Sequence, residues 1–216
     1  MAEIKFCGLT RPEDAACAVS LGARFVGVVF ADSPRQLTDE QALTVLAPVP
    51  MGISRVGVFG DTKPEQIAAR AEKLGLDVVQ LHGDPKLRTI SRVRRRWRGQ
   101  VWAVLRIGGA SLPDSADDLF DAADGVVLDA RVAGQLGGTG IVLPWEELRD
   151  RLTTLRTHRA RLVLAGGLNP DNVARAVEVL QPDIVDVSSG VEESVGVKDH
   201  SRMRAFRDAV HAVTTP

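Results

Sequence analysis

Short apolar runs recur at nearly even spacing along this chain of 216 residues. Eight runs rich in Val, Ile and Leu are present, at residues 4–8, 25–30, 55–59, 78–82, 101–107, 125–129, 162–165 and 184–187. Their starts are about 26 residues apart on average, close to the ~30 residues of a strand–helix–strand unit. The runs are continuously apolar rather than alternating, which is typical of parallel strands covered on both faces. The pattern therefore predicts a parallel β-sheet.

Amphipathic segments lie between these runs and predict helices. Residues 11–21 carry one apolar face, and Pro12-Glu13-Asp14 suits a first helical turn. Thr38, with Gln41 three residues later, has the pattern of a capping box. A helix that starts at Lys63-Pro64-Glu65 is expected to stop at Gly75. The other helices are expected to open at Asp84-Pro85, Pro144-Trp145-Glu146-Glu147 and Asn169-Pro170-Asp171, with a short helix in 110–124 and a last one over 199–213.

Eight strand–helix repeats in about 200 residues predict an α/β protein, a (β/α)₈ barrel near its minimal size. The rival is a doubly wound open sheet, which usually has five or six strands and often a Gly-rich first turn. The first turn here is Cys7-Gly8-Leu9-Thr10. No linker divides the chain, so we expect residues 1–216 to form a single domain. A barrel places its chemistry at the C-terminal ends of its strands, where each polar residue becomes a candidate.

Composition excludes several classes of protein. With 44% apolar and 25% charged residues, the chain can form a packed core. A net charge of −1 does not attract nucleic acid, and the basic cluster at 86–98 is interpreted as the solvated side of a helix. No stretch approaches the ~20 apolar residues of a membrane span, and the first residues do not form a signal peptide. We expect a cytoplasmic monomer or homodimer in which Cys7 and Cys17 are free thiols.

Candidate side chains follow the first two strands. Period-two alternation places Lys5 and Cys7 on the same side, with Cys7 at the mouth of the barrel. A lone Cys in an apolar strand is more often inert core, but the strand-end position before Gly8 favours a function. Cys17 lies within the first helix and is expected to pack. Arg35 follows strand two and either forks onto a substrate carboxylate or is solvated.

Strands four and six also end in polar residues. Gln80 and His82 fall on one side, where they either bind a polar ligand or satisfy polar groups inside the barrel. Asp129 ends strand six and should reach the open end, because burying an unpaired carboxylate is costly. Gly138 is one of four glycines in the segment 133–140. This segment is either a loop that moves over a ligand or an ordinary flexible loop.

Small residues follow strands seven and eight. Gly166 and Gly167 come after the seventh strand, and Ser189 and Gly190 after the eighth. In barrels of this type these two loops, with a short extra helix, commonly bind phosphate. Gly190-Val191-Glu192-Glu193 is expected to begin that helix, whose free N–H groups favour an anion. The two loops together predict a phosphate site.

A set of motifs occurs in order along nearly the whole chain. They are Lys5-Phe6-Cys7-Gly8-Leu9-Thr10, Ser33-Pro34-Arg35, Val56-Gly57-Val58-Phe59, Gln80-Leu81-His82-Gly83, Leu128-Asp129, Gly137-Gly138-Thr139-Gly140, Leu164-Ala165-Gly166-Gly167-Leu168-Asn169-Pro170 and Asp186-Val187-Ser188-Ser189-Gly190-Val191-Glu192. The set closely resembles the phosphoribosylanthranilate isomerase family of tryptophan biosynthesis. Its most specific parts surround Cys7, residues 137–140 and residues 188–192.

The resemblance implies a cofactor-free Amadori rearrangement of N-(5-phosphoribosyl)anthranilate to 1-(2-carboxyphenylamino)-1-deoxyribulose 5-phosphate. It implies Cys7 as general base, Asp129 as general acid and Arg35 as the ligand of the anthranilate carboxylate. The family's phosphate loops match Gly166-Gly167 and Ser189-Gly190. For this chemistry we expect apolar surroundings to raise the pKa of Asp129, and Lys5 to lower that of Cys7. No metal is expected, since the His and Cys residues lack zinc-ligand spacing.

Some segments depart from the family pattern, and alternatives remain. Leu143-Pro144-Trp145 stands where the family often has Phe-Asp-Trp, Gln36 stands where an aromatic residue is frequent, and Leu105-Arg106-Ile107-Gly108-Gly109 is not a close match. One alternative is a related sugar-phosphate isomerase or epimerase of broader range, which generally uses two aspartates rather than a cysteine. The other is a non-catalytic phosphosugar-binding protein, which needs no intact acid and base.

Overall fold

The eight apolar runs form parallel strands that close into a barrel. The computed structural model describes residues 1–83, 85–109, 111–130, 143–155 and 157–214. Each strand is hydrogen-bonded to the next, and the last returns to the first. The strands are β1 (Glu3–Phe6), β2 (Phe25–Val29), β3 (Ser54–Phe59), β4 (Val78–Leu81), β5 (Gln100–Ile107), β6 (Gly125–Ala130), β7 (Arg161–Leu164) and β8 (Ile184–Val187). The predicted (β/α)₈ barrel is confirmed, and the open sheet is excluded.

A helix follows each strand along the chain. The helices are α1 (Pro12–Ser20), α2 (Asp39–Leu46), α3 (Pro64–Lys73), α4 (Leu87–Arg94), α5 (Ala116–Ala122), α6 (Trp145–Leu155), α7 (Val173–Leu180) and α8 (His200–Thr214). Thr38 caps α2 in the predicted capping box with Gln41. Gly75 follows α3 with a positive φ of 59°, as a C′ residue does. Local sequence therefore set these helix ends.

Two helices begin later than the sequence predicted. The fourth helix begins at Leu87 rather than at Asp84-Pro85, and residue 84 lies outside the described residues. The seventh begins at Val173, because Asn169-Pro170-Asp171 forms a turn before it. In that turn Asn169 Oδ1 accepts hydrogen bonds from the backbone N–H groups of Asp171 and Asn172. Such side-chain bonds compete with the helical ladder.

The extra helix expected from Gly190-Val191-Glu192-Glu193 is only partly present, because its helical part ends at Val191 and Glu192-Glu193 is extended. A single 3₁₀ turn covers Ser189–Val191, and the chain then forms a hairpin of β9 (Glu192–Ser194) and β10 (Val197–Lys198). The carboxylate of Glu192 bonds Arg35 and Lys198, while its backbone is extended. A distant ion pair thus accompanies an extended strand where the local sequence favoured a helix.

Apolar side chains form two main layers on either side of the barrel wall. One lies between helices and strands, and the other fills the barrel with Phe25, Val56, Val78, Trp102, Val104, Val127, Val163, Ala165 and Ile184. At the C-terminal end, Cys7, Val29, Ala31 and Val58 form a separate small cluster. Because the interior is packed, a ligand has to bind at this end, as in other barrels of this type.

The positions of Cys17 and of the basic cluster on the outer surface agree with the predictions made for them. Cys17 is partly buried on α1 and packs against the outer apolar layer. On α4, Ile90 and Val93 are buried, whereas Arg88 and Arg92 are exposed. The basic cluster therefore includes the solvated side of a helix. No helix in the described part of the chain is long and apolar enough to cross a membrane.

Candidate active site

A cavity at the C-terminal end of the barrel brings most of the predicted site residues together. Those in its wall are Cys7, Arg35, Gln80, His82, Asp129, Gly166, Gly167 and Ser189. Gly190 adjoins Ser189 in the 3₁₀ turn, and Lys5 is fully buried next to the cavity-lining Asp186. Gly138 lies outside the described residues. Residues that are far apart in sequence thus share one cavity.

Cys7 lies one residue beyond β1, and its sulfur lies over a glycine of β2. A Cβ built on Gly27 would be 2.8 Å from Cys7 Sγ, so the glycine leaves the space that the thiol occupies. Burial raises the pKa of the Cys7 thiol, and the positive charge of Lys5 opposes this change. Lys5 acts in the expected direction, but burial outweighs it and the net pKa is raised. The thiolate, once formed, is a strong base.

Asp129 is the penultimate residue of the buried β6 and is 6% exposed. Burial raises the pKa of its carboxyl to about 6, against the opposing charge of Arg106. Arg106 lies opposite Asp129 in the register of β5 and β6. The expectation that apolar surroundings raise this pKa agrees with the structure. A carboxyl with a pKa near 6 is able to donate a proton at nearly neutral pH.

His82 and Gln80 add neutral polar groups to the cavity. Burial, together with Arg106 and Lys5, lowers the pKa of His82 to about 4. The imidazole is therefore neutral at pH 7, and its 3.7 Å approach to Asp129 Oδ2 is not an ion pair. His82 Nδ1 and Gln80 Oε1 are buried and lack a hydrogen-bond partner among the described residues. Buried polar atoms are normally bonded, so this grouping indicates a polar ligand.

Arg35 is held in place by an acidic side chain from the hairpin. Its Nε and Nη2 donate to the two carboxylate oxygens of Glu192 at 2.7 and 2.6 Å. Glu192 also accepts from Lys198 Nζ at 2.9 Å. This pairing fixes the plane of the guanidinium, which lines the cavity. Glu192 was not predicted as a site residue, although it belongs to the motif at residues 188–192, because nothing local in the sequence shows its distant partner.

The loops after β7 and β8 pack directly against each other. Gly166 and Gly167 have positive φ values of 81° and 70°. A Cβ on Gly190 would overlap the carbonyl oxygen of Leu168, so only glycine allows this contact. Together with Ser189, the loops form a wall of small residues, which permits close approach of backbone N–H groups to an anion.

A second acidic residue in the wall, Asp186 on β8, was also missed. Its Oδ2 accepts a hydrogen bond from Lys5 Nζ at 2.6 Å. A signal was present, since Asp186 is the one charged residue in an otherwise apolar strand. A buried acid in such a strand requires a partner.

Comparison with known proteins decides the family. Residues 4–209 match the family model described as N-(5'phosphoribosyl)anthranilate (PRA) isomerase. The chain belongs to this family. A PRA isomerase of Rubrobacter xylanophilus is 41% identical over 210 residues, which cover 97% of this chain and 98% of the relative.

Solved structures of PRA isomerases share the barrel. Monomers generated from the dimeric enzyme of Thermotoga maritima have a TM-score of 0.84 and 33% identity, covering 98% of this chain and 100% of theirs. A PRA isomerase in complex with reduced 1-(o-carboxyphenylamino)-1-deoxyribulose 5-phosphate has a TM-score of 0.84, 32% identity and the same coverage. The solved relatives therefore include a dimeric enzyme, monomers generated from it, and a complex with a reduced sugar phosphate.

Proposed function

We propose that this protein catalyses the Amadori rearrangement of N-(5'-phosphoribosyl)anthranilate in tryptophan biosynthesis. The observation that carries the proposal is that Cys7 and Asp129 line one cavity in a chain that matches the PRA isomerase family over residues 4–209. The reaction moves protons within one small phosphosugar, so acid and base side chains suffice for it. The partner is the substrate alone, with no role for nucleic acid or a membrane.

Asp129 is the group that opens the sugar ring. Breaking the bond between C1 and the ring oxygen requires a proton on that oxygen. Because the pKa of Asp129 is about 6, its carboxyl is partly protonated close to neutral pH. The neutral His82 lies beside the carboxyl and adds no competing charge.

Cys7 is the base of the second step. Ring opening produces a protonated Schiff base, whose charge acidifies the proton on C2. A thiolate at Cys7 removes this proton, and burial makes the thiolate more basic than in water. The cationic substrate and the buried Lys5 both stabilise the thiolate at this stage.

Two anion sites hold the ends of the substrate. The small-residue loops with Gly166, Gly167, Ser189 and Gly190 suit the phosphate. Arg35 suits the anthranilate carboxylate, and Glu192 orients the guanidinium. A related isomerase with two aspartates is less favoured, because Cys7 stands at the end of strand one.

The test is turnover of phosphoribosylanthranilate, followed by the loss of its fluorescence. The variants Cys7→Ala and Asp129→Asn should each lower kcat by at least ~10²-fold, since general acid–base groups contribute that much. Their matched controls are Cys17→Ala, on α1, and Asp150→Asn, an exposed carboxylate on α6. Both controls should keep wild-type turnover. Near-normal turnover by a folded Cys7→Ala or Asp129→Asn variant would reject the assignment.

A further inference from the structure

Besides Asp129, the cavity wall contains the carboxylate of Asp186, which forms a buried ion pair with Lys5. Asp186 faces Lys5 in the register of β8 and β1, and its side chain is 4% exposed. Burial lowers the pKa of the Lys5 ammonium, but the attraction of Asp186 and Cys7 more than offsets this, and the net pKa is raised. Lys5 is therefore a fixed cation beside the cavity rather than a proton donor.

The other oxygen of Asp186 has no protein partner. Asp186 Oδ1 is buried and accepts no hydrogen bond from any described residue. Asp186 nevertheless lines the same cavity as Cys7 and Asp129. Burial is the largest cause of the raised pKa values of Cys7 and Asp129. The negative charge of Asp186 raises both pKa values as well, so Asp186 is close enough to interact electrostatically with both groups. A buried acceptor left unbonded costs free energy, and at a cavity wall it suits a donor from the ligand.

The proposed reaction contains a proton transfer that remains unassigned. Asp129 protonates the ring oxygen, and Cys7 removes the proton from C2. The resulting enolamine carries a hydroxyl on C2, and this hydroxyl has to lose its proton to become the ketone. Because that hydroxyl is bonded to the carbon that Cys7 deprotonates, its acceptor has to lie near Cys7.

We propose, resting on the function proposed above, that Asp186 Oδ1 binds the C2 hydroxyl and takes its proton as the enolamine becomes the ketone. The O–H bond breaks, and its electron pair forms the π bond of the carbonyl. The π pair between C1 and C2 takes the proton held by the Cys7 thiol, which forms the new C1–H bond. Cys7 returns to thiolate, Asp186 is protonated, and Asp129 is ionised. One proton passing from Asp186 to Asp129 resets the site.

The test measures how the enolamine partitions in D₂O. An enolamine that cannot become the ketone persists while the Cys7 thiol exchanges its proton with D₂O, and reprotonation at C2 then returns deuterium to the substrate. For Asp186→Asn we expect kcat to fall by at least ~10²-fold, a typical contribution of a general base. The ratio of C2 deuterium in recovered substrate to product formed should rise by at least about tenfold over wild type, as measured by mass spectrometry at partial conversion.

The ratio of C2 deuterium to product distinguishes a proton-transfer role of Asp186 from a structural role. Damage to the fold lowers exchange and product formation together, and an unchanged ratio in Asp186→Asn would overturn the inference. If Asp186→Asn fails to fold because Lys5 is left unpaired, the double variant Lys5→Met/Asp186→Asn removes both charges and should show the same raised ratio. Asp208→Asn, an exposed carboxylate on α8, is the matched control and should keep the wild-type ratio. Absence of turnover by the wild type would contradict the proposed function itself.

Discussion

At the residue scale, burial acts on Asp129 and Cys7 in the same direction. It raises the pKa of Asp129 to about 6 and raises the pKa of Cys7 above its ordinary value of 9.0. The acid therefore has the lower pKa and the base the higher one. At a pH between these two pKa values, Asp129 is ionised and the Cys7 sulfur carries its proton in most free enzyme molecules. The productive form, with Asp129 protonated and Cys7 ionised, is the minor arrangement of the same proton.

This order of pKa values predicts the pH dependence of kcat/KM. Below about pH 6, Asp129 gains a proton while Cys7 keeps its own, so kcat/KM should fall tenfold per pH unit. Above this pH it should be level until Cys7 ionises. In Asp129→Asn the break near pH 6 should disappear, and the residual activity should rise with pH without a plateau up to the pKa of the thiol. Steady-state rates across this range check both curves, and an unchanged break near pH 6 followed by a plateau in Asp129→Asn would contradict the assignment.

At the element scale, the approach of β2 to β1 sets the position of the Cys7 sulfur. The register pairs Lys5 with Phe25 and Phe6 with Val26, which places Cys7 beside Gly27. A Cβ at this glycine would be 2.8 Å from Cys7 Sγ and 3.3 Å from Cys7 Cα. One of these atoms would therefore have to move, and the side chain is the more mobile of the two.

Gly27→Ala should therefore reduce catalysis more than folding. We expect kcat to fall about tenfold or more, because small misplacements of a reacting group are costly. Overpacking should lower the free energy of unfolding by about 1–3 kcal/mol. Gly109→Ala is the control, since a Cβ there meets nothing within 4 Å. Steady-state kinetics and urea unfolding measure the two effects, and a folded Gly27→Ala variant with wild-type kcat would refute the steric argument.

At the scale of the whole molecule, the part of the outer surface that the structure describes has few exposed apolar side chains for self-association. Among the described residues, the exposed large apolar side chains are Met1, Leu43, Met51, Leu87 and Val195. They lie at the N-terminus, on α2, between α2 and β3, on α4 and in the hairpin, and so belong to different elements. A stable homodimer usually buries about 800 Å² on each partner, with an apolar centre.

The sequence left open whether the protein is a monomer or a homodimer. We predict a monomer. Light scattering on the eluate of a sizing column should give a mass near 23.2 kDa at micromolar concentration. A mass near twice this value that is stable on dilution would contradict the prediction.

The sequence by itself determined the strands and several helix ends, and it was enough to select Cys7 and Asp129 as candidates. Eight apolar runs have the spacing of strand–helix repeats, and Thr38 and Gly75 mark helix ends through bonds and φ values that are local. Cys7 and Asp129 became candidates because the C-terminal ends of parallel strands meet at one edge, and the family resemblance implied their roles as base and acid. Such features depend on residues close together in the chain, so a pattern in the sequence is enough to predict them.

Only the tertiary structure decided which charges pair and how burial shifts the pKa values. The Lys5–Asp186 pair joins residues 181 positions apart, and the Arg35–Glu192 pair joins residues 157 positions apart. Ring closure brings β8 next to β1, and the strand spacing that predicts the barrel does not give the register in which Asp186 faces Lys5. The hairpin after β8 escaped prediction for the same reason, since its Glu192 bonds the distant Arg35. Desolvation likewise depends on everything packed around a group, which is set only when the barrel closes.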